Sequence, residues 1–250
     1  MTRKKLVVQK YGGSSLSSTD QISNIAEKII SKTKQGYMVV VVVSAMGDST
    51  DNLISLASQV NSNANSITRE MDILLSTGEL VSSTLMTLSL IAKNKKAISL
   101  SGIQAGIMTD SVHGSARISD ININRIQEEL NKDSIVVVAG FQGLNNLGDV
   151  TTLGRGGSDT TAVALAVALN AERCEIYTDV EGIYTTDPRI TKKARKLDEI
   201  SFEEMLEMAS LGAKMNPRSI ELGLVYNMPV YVASSFSLEQ GTLIHGSSNM

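Results

Sequence analysis

Four short stretches of the 250-residue chain gather side chains that can handle phosphate or carboxylate. Lys10-Tyr11-Gly12-Gly13-Ser14-Ser15 joins a lysine to a pair of glycines. Glycines let backbone N–H groups approach an anion with no Cβ in the way, a following helix offers its positive end, and the lysine adds a point charge. This is not a Walker A loop, in which the lysine follows the glycines. Leu153-Gly154-Arg155-Gly156-Gly157-Ser158-Asp159-Thr160-Thr161 sets an arginine among three glycines, ahead of a Ser-Asp pair. The planar fork of Arg155 suits a carboxylate or a phosphate. Ser158 and Asp159 also read as caps of the next helix, but capping does not account for an arginine held between glycines. The stretch Thr178 to Arg189 turns polar where a strand stops, but alone it reads better as an ordinary Gly- and Pro-marked loop. Glu79 is the only charge between Ile73 and Leu90. A carboxylate there is costly to bury unpaired. It either faces solvent on an amphipathic helix or pairs with a substrate ammonium or a protein lysine or arginine.

Other chemistries find little support. His113 and His245 are far apart and lack metal-ligand spacing, and no Gly-x-Ser-x-Gly elbow is present. Cys174 is a lone cysteine beside an apolar stretch and reads as a small core residue. A net charge of -3 leaves no basic footprint for nucleic acid or an anionic membrane, and aromatic content of 4% argues against base-stacking platforms. Unbroken apolar runs such as Met38 to Val43 are far short of the roughly 20 residues that span a bilayer. The expectation is a cytoplasmic protein with no disulfide and no bound metal cluster.

The elements needed to position these residues alternate along the chain. Leu6-Val7-Val8 and the all-apolar runs Met38 to Val43 and Ile135 to Ala139 read as strands buried on both faces, and Ala97 to Leu100 as a further strand. Glu175 to Thr178 and Pro229 to Ser234 read as strands too. Ile22, Ile25, Ala26, Ile29 and Ile30 recur at helical spacing, with Gly36 closing that helix. Further helices are expected near Asp51, over Thr68 to Ala92 with an interruption at Thr77-Gly78-Glu79, and over Ile118 to Leu130. Later ones cover Ala162 to Leu169, Phe202 to Leu211 and Ser219 to Val225. Gln142 to Asp149 reads as a hairpin or loop. Strand–turn–helix units in series imply an α/β protein with a mostly parallel sheet covered on both faces, whose ligands bind at the carboxyl ends of the strands.

Taken together and in order, these segments resemble the amino acid kinase family, and within it the aspartate kinases. The resemblance covers nearly the whole chain. It adds Val43-Ser44-Ala45-Met46-Gly47 with Thr50-Asp51, Gly78-Glu79, Gly102 to Gly106, Gly140-Phe141, Gly212-Ala213-Lys214 and Ser234-Ser235-Phe236 to the stretches above. It implies a three-layer α/β/α sandwich and ATP-dependent phosphorylation of the β-carboxylate of L-aspartate, the first step towards lysine, threonine and methionine. Mg2+ would accompany the ATP. By the same resemblance Lys10, Asp159 and Lys214 are the catalytic group, with Asp159 orienting Lys10. Ser44, Thr50, Glu79, Phe141, Arg155 and Ser158 form the aspartate pocket. Gly12, Gly13, Ser14, Thr178, Asp179, Tyr184 and Arg189, with Lys10 and Lys214, meet the nucleotide. The expected layout is one domain over 1–250, with an amino-acid lobe to about residue 150, a nucleotide lobe beyond it and no ACT regulatory domain. A homodimer is compatible with the fold. Two readings stay beside it: a kinase for another small carboxylate, and a non-catalytic amino-acid or nucleotide sensor.

Overall fold

The run Met38–Val43 is buried at every position but its first and forms a central strand. In the computed structural model, which describes residues 4–66, 68–210, 212 and 215–246, it is the second strand. The elements run β1 (Leu6–Tyr11), α1 (Thr19–Lys34), β2 (Met38–Val43), α2 (Ser49–Val60), α3 (Thr68–Ala92), β3 (Ala97–Leu100), β4 (Ile107–Thr109) and β5 (Ile118–Ile121). Then come α4 (Asn124–Asn131), β6 (Ile135–Ala139), β7 (Gln142–Leu144), β8 (Val150–Thr152), α5 (Gly157–Ala168), β9 (Arg173–Thr178) and β10 (Glu199–Ser201). The last are α6 (Phe202–Ser210), α7 (Pro217–Tyr226), β11 (Val230–Ser234) and β12 (Thr242–His245).

Eight strands form the main sheet in the order β10-β12-β11-β9-β1-β2-β6-β3. From β11 to β3 every neighbouring pair is parallel, and β12 runs antiparallel to β11. Side chains alternate across a strand, and β2 shows what its valines do. Val39, Val41 and Val43 pack with Ile25 and Ile29 of α1 and Met86 and Leu90 of α3. Val40 and Val42 pack on the other face with Leu165 of α5, Ile126 of α4 and Ile220 of α7. The expected three-layer sandwich is thus present. From β1 the chain builds outwards through β2 towards β3, and then returns to β1's other side with β9. The strand order therefore reverses between β1 and β9, which marks the crevice where open α/β sheets bind ligands.

Three local expectations need correction. Ile118 to Leu130 is not one helix: β5 pairs antiparallel with β4, and α4 follows only after a corner at Asn122. Asn122 N donates to Gly106 O and its Oδ1 receives Asn124 N, so a tight corner divides a stretch whose isoleucines imitate a helical period. With β7 and β8, β4 and β5 make a separate four-stranded sheet that sequence reasoning saw only as a hairpin at Gln142 to Asp149. Second, α3 runs unbroken through Thr77-Gly78-Glu79. Gly78 is there for contact, since a Cβ on it would lie 2.8 Å from Ala45 Cβ. Third, β1 extends to Tyr11, so Lys10 is a strand residue paired between Val42 and Ile176 rather than part of the turn.

By length and composition alone the 25 residues of α3 could also cross a membrane, a point that the short unbroken apolar runs did not reveal. Here α3 is a layer helix whose inner face carries the buried Asp72, Ser76 and Glu79 before it turns apolar at Met86 and Leu90.

Two leucines on α3 check the layering. Leu90 is fully buried and Leu88 is 55% exposed. Leu90→Ala should lower the unfolding free energy by about 2–5 kcal/mol, and Leu88→Ala by less than about 0.5 kcal/mol. Urea denaturation measures both; equal losses would contradict the packing described.

Candidate active site

At the crevice end of β1 the strand register brings Lys10 to the carboxyl edge of the sheet, next to the start of α5. Lys10 Nζ lies 2.6 Å from Asp159 Oδ1, and both side chains are nearly out of solvent. Asp159 sits in the first turn of α5, where the helix dipole also favours a negative charge. Gly12 follows, and a Cβ placed on it would stand 3.5 Å from the Lys10 ammonium. The glycine leaves the space over that charge open. Gly13 is required for contact, because a Cβ there would come 2.7 Å from Ala45 O. Ser14 lies exposed in the 3-10 turn Gly13–Leu16.

The turn after β2 joins this edge from the other side. Gly47 N donates to Gly13 O, and Ser44 N donates to Tyr11 O. Helix α3 clamps the same turn: Ser82 Oγ donates to Ser44 O at 2.7 Å, and Ala45 N donates to Glu79 Oε1 at 3.1 Å. Glu79 is only 4% exposed, and its Oε2 has no hydrogen-bond partner. No lysine or arginine pairs with it among the described residues. Burial therefore pushes its carboxyl up to about 7, partly offset by the Ala45 amide. The solvent-facing alternative for Glu79 is thereby excluded. Thr50 lies in the first turn of α2, which opens just past this turn.

Behind the edge, Gly140 and Phe141 follow β6. A Cβ on Gly140 would meet Ser158 Oγ at 2.8 Å, so only glycine lets the buried Ser158 stand there. Phe141 adopts a φ of 71°, strained for a bulky side chain. Its N–H donates to Thr161 Oγ1 and its carbonyl accepts from Leu153 N. The Leu153–Gly156 turn presents Arg155 to solvent. It is held from behind by Asn216 Nδ2, which donates to Arg155 O at 2.7 Å, and by Arg218 Nη1, which donates to Leu153 O. Sequence reasoning missed both holders. Only the cap was legible, since Asn216 precedes Pro217 at the start of α7.

On the far side of the crevice, Thr178 ends β9, and Gly12 N donates to Tyr177 O. Thr178 Oγ1 donates to Asp179 Oδ1. The loop beyond holds Tyr184, whose hydroxyl donates to Glu181, and Arg189, which is exposed and ion-paired with Asp187 at 2.7 Å. No contact ties Tyr184 or Arg189 to Lys10; they share the β9 side of the crevice and nothing closer. Lys214 lies outside the described residues. Cys174 is fully buried with its thiol pushed up by desolvation, so it is core rather than a nucleophile. His113 is engaged by the buried Asp72, a residue that sequence reasoning also missed. Among the described residues no three His, Cys, Asp or Glu side chains gather as a metal cage.

A strand-end lysine is thus held by a helix-start aspartate at the point where a parallel sheet reverses its order, the place where open α/β sheets bind ligands. The chain belongs to the amino acid kinase family, whose pattern matches residues 5–234. It is 53% identical over 240 residues to an aspartokinase of Geobacillus stearothermophilus, a match covering 96% of this chain and 58% of that protein. Its structure resembles aspartate kinase from Synechocystis, with a TM-score of 0.85 and 46% identity over 96% of this chain and 40% of that one. It also resembles E. coli aspartokinase III in complex with aspartate and ADP, with a TM-score of 0.85 and 30% identity over 98% of this chain and 65% of that one. The chain thus spans less than two thirds of the length of each.

The raised value of Glu79 has a measurable consequence. The unfolded carboxyl ionises near 4.5 and the folded one near 7, so between these values the unfolded chain binds fewer protons than the native one. The unfolding free energy of the wild type, minus that of Glu79→Gln, should fall as pH rises through this window and level off above it. Denaturant titrations across pH measure the difference; a flat difference would mean that Glu79 is ionised at no cost.

Proposed function

We propose that the chain transfers the γ-phosphoryl group of ATP to the β-carboxylate of L-aspartate, a step that opens the route to lysine, threonine and methionine. The observation that carries this reading is the Glu79 carboxylate, buried with one oxygen unpartnered in the same ring of turns as the Lys10–Asp159 pair. A phosphoryl acceptor without an amino group has no use for a buried negative charge. A substrate ammonium does, and it would supply the missing partner. Aspartate also needs a positive group for its α-carboxylate, which the fork of Arg155 provides. The E. coli relative was solved with aspartate and ADP, in keeping with this pair of ligands.

In the proposed mechanism, Ser44, Thr50, Phe141 and Ser158 line the aspartate side with Glu79 and Arg155. The β1 and β9 ends with Gly12, Gly13, Ser14, Thr178, Asp179, Tyr184 and Arg189 serve the nucleotide. The aspartate side draws mostly on residues before 150, with Arg155 and Ser158 beyond it, and the nucleotide side draws mostly on residues after 150, with Gly12, Gly13 and Ser14 from the β1 turn. Lys10 neutralises charge on the transferring group, Asp159 holds its ammonium in place, and Lys214 is assigned to the same charge by sequence alone. Phosphoryl transfer asks for positioning and charge stabilisation rather than covalent chemistry from the protein. Mg2+ fits as a counter-ion carried by the nucleotide phosphates, which is how the ion is commonly held. Free aspartate and ATP place the reaction in the cytoplasm.

ATP-dependent acyl-phosphate formation, trapped with hydroxylamine across a panel of amino acids and dicarboxylates, tests the proposal. Aspartate should give hydroxamate, whereas succinate, which lacks the ammonium, should give little. Product from another acceptor in preference to aspartate would reassign the substrate, and binding with no product would make the chain a sensor. Within that assay Lys10→Ala should lower kcat by about 10²-fold or more with a modest change in nucleotide affinity. Arg155→Lys should raise KM for aspartate far more than KM for ATP. Equal shifts would assign the arginine to phosphate.

A further inference from the structure

Helix α3 carries a second buried carboxylate that the reaction as proposed does not use. Asp72 is 1% exposed. Its Oδ1 accepts from Thr152 Oγ1 at 2.5 Å, both its oxygens lie 3.1 Å from Gly114 N, and its Oδ2 lies 2.7 Å from His113 Nδ1. No lysine or arginine reaches it among the described residues. A buried carboxylate satisfied by this many donors is costly to desolvate and fixes whatever supplies the donors.

The donors come from two segments that meet beneath Arg155. Thr152 ends β8, and the next residues form the Arg155 turn. Gly114 belongs to the loop under that turn: a Cβ on Gly154 would come 3.0 Å from Gly114 O, and Ala116 N donates to Thr152 O at 2.9 Å. Asp72 and Glu79 are seven residues apart, two turns of helix, so they share one face about 10 Å apart along the axis. The face is used along its length, since Gln142 Nε2 donates to Ser76 O between them.

We infer that Asp72 is the positioning residue for Arg155: from α3 it fixes the loop and strand end that carry the arginine, and so sets the separation between the arginine and Glu79. The inference rests on the proposed role of Arg155 in binding the substrate carboxylate. One rigid helix then holds both ends of the amino acid, Glu79 by direct contact and Arg155 through Asp72. This makes substrate length a property of the spacing along α3.

Two measurements test it. The first needs no substrate. Arg155 and Arg189 are both exposed, so limited trypsin digestion with Arg189 cleavage as the internal reference reports how firmly the Arg155 turn is held. Asp72→Asn keeps the size of the side chain and removes one acceptor. It should raise cleavage at Arg155 relative to Arg189 several-fold, and an unchanged ratio would overturn the inference. The second is kinetic. A misplacement near 1 Å can cost about 10²-fold, so a partial loosening should raise KM for aspartate by about tenfold, with KM for ATP within about twofold. In a cycle with Arg155→Lys the two effects on kcat/KM for aspartate should be less than multiplicative. Multiplicative effects, or equal shifts for ATP, would show a structural role only. Thr152→Val removes the 2.5 Å bond with little change in shape and takes the place of Asp72→Asn if that variant does not fold. A wild type that fails to use aspartate in the hydroxylamine assay would sink the proposed function, while the trypsin ratio would still decide the positioning.

Discussion

A lysine ammonium and a carboxylate 2.6 Å apart, both almost out of water, hold the crevice of this protein together. Neither could sit there alone, because an unpaired charge at that depth costs several kcal/mol. Together they tie the middle strand of the sheet to the start of α5, the helix that packs on β1, β2 and β9. The pair also explains the residues around it. Gly12 keeps the space above the ammonium free, and Gly13 lets the β2 turn close against the β1 turn. A positive group thus sits at the reversal point of the strand order, its geometry fixed by Asp159 before any ligand arrives. That is the preorganisation that charge-stabilising catalysis requires.

The second constraint is helix α3. Its face is polar where it meets the small sheet and the turn after β2, and apolar where it meets the main sheet. The price of that pattern is two buried carboxylates on one helix. Asp72 is satisfied by donors, whereas Glu79 keeps one oxygen without a partner. The same helix therefore carries a fully satisfied carboxylate at one end and a partly satisfied one two turns later.

Much of this was legible in the sequence, and the reasons are physical. The valine run of β2 could be read because a strand covered on both faces has no polar positions, and a helix of that length would be too short to matter. Gly13, Gly140 and Gly157 drew attention as glycines, and each proves to lie where a Cβ would crowd a neighbour. Glu79 stood out as a lone charge in an apolar helix. The small sheet was not legible. Its strands run three or four residues, too few to show an alternation, and the isoleucines of β5 and α4 merge into a false helical period. Asp72 and His113 escaped because their relationship is purely tertiary, 41 residues apart in the chain. Asn216 was readable as a cap, but its second bond, to the Arg155 carbonyl, was not.

The central claim is that the buried carboxylate of Glu79 waits for a substrate ammonium. A carboxyl that ionises near 7 when unpartnered is mostly protonated at pH 6, and an ammonium placed beside it would make it ionise. Aspartate binding at pH 6 should therefore release most of one proton per site, by about 0.9 at full conversion, while succinate should release close to none. Isothermal titration in buffers of different ionisation enthalpy, with a non-hydrolysable ATP analogue present, reads this number directly. Release with aspartate that disappears in Glu79→Gln is the result the account predicts. Tight aspartate binding without proton release would contradict it, because the ammonium would then be held by something other than Glu79.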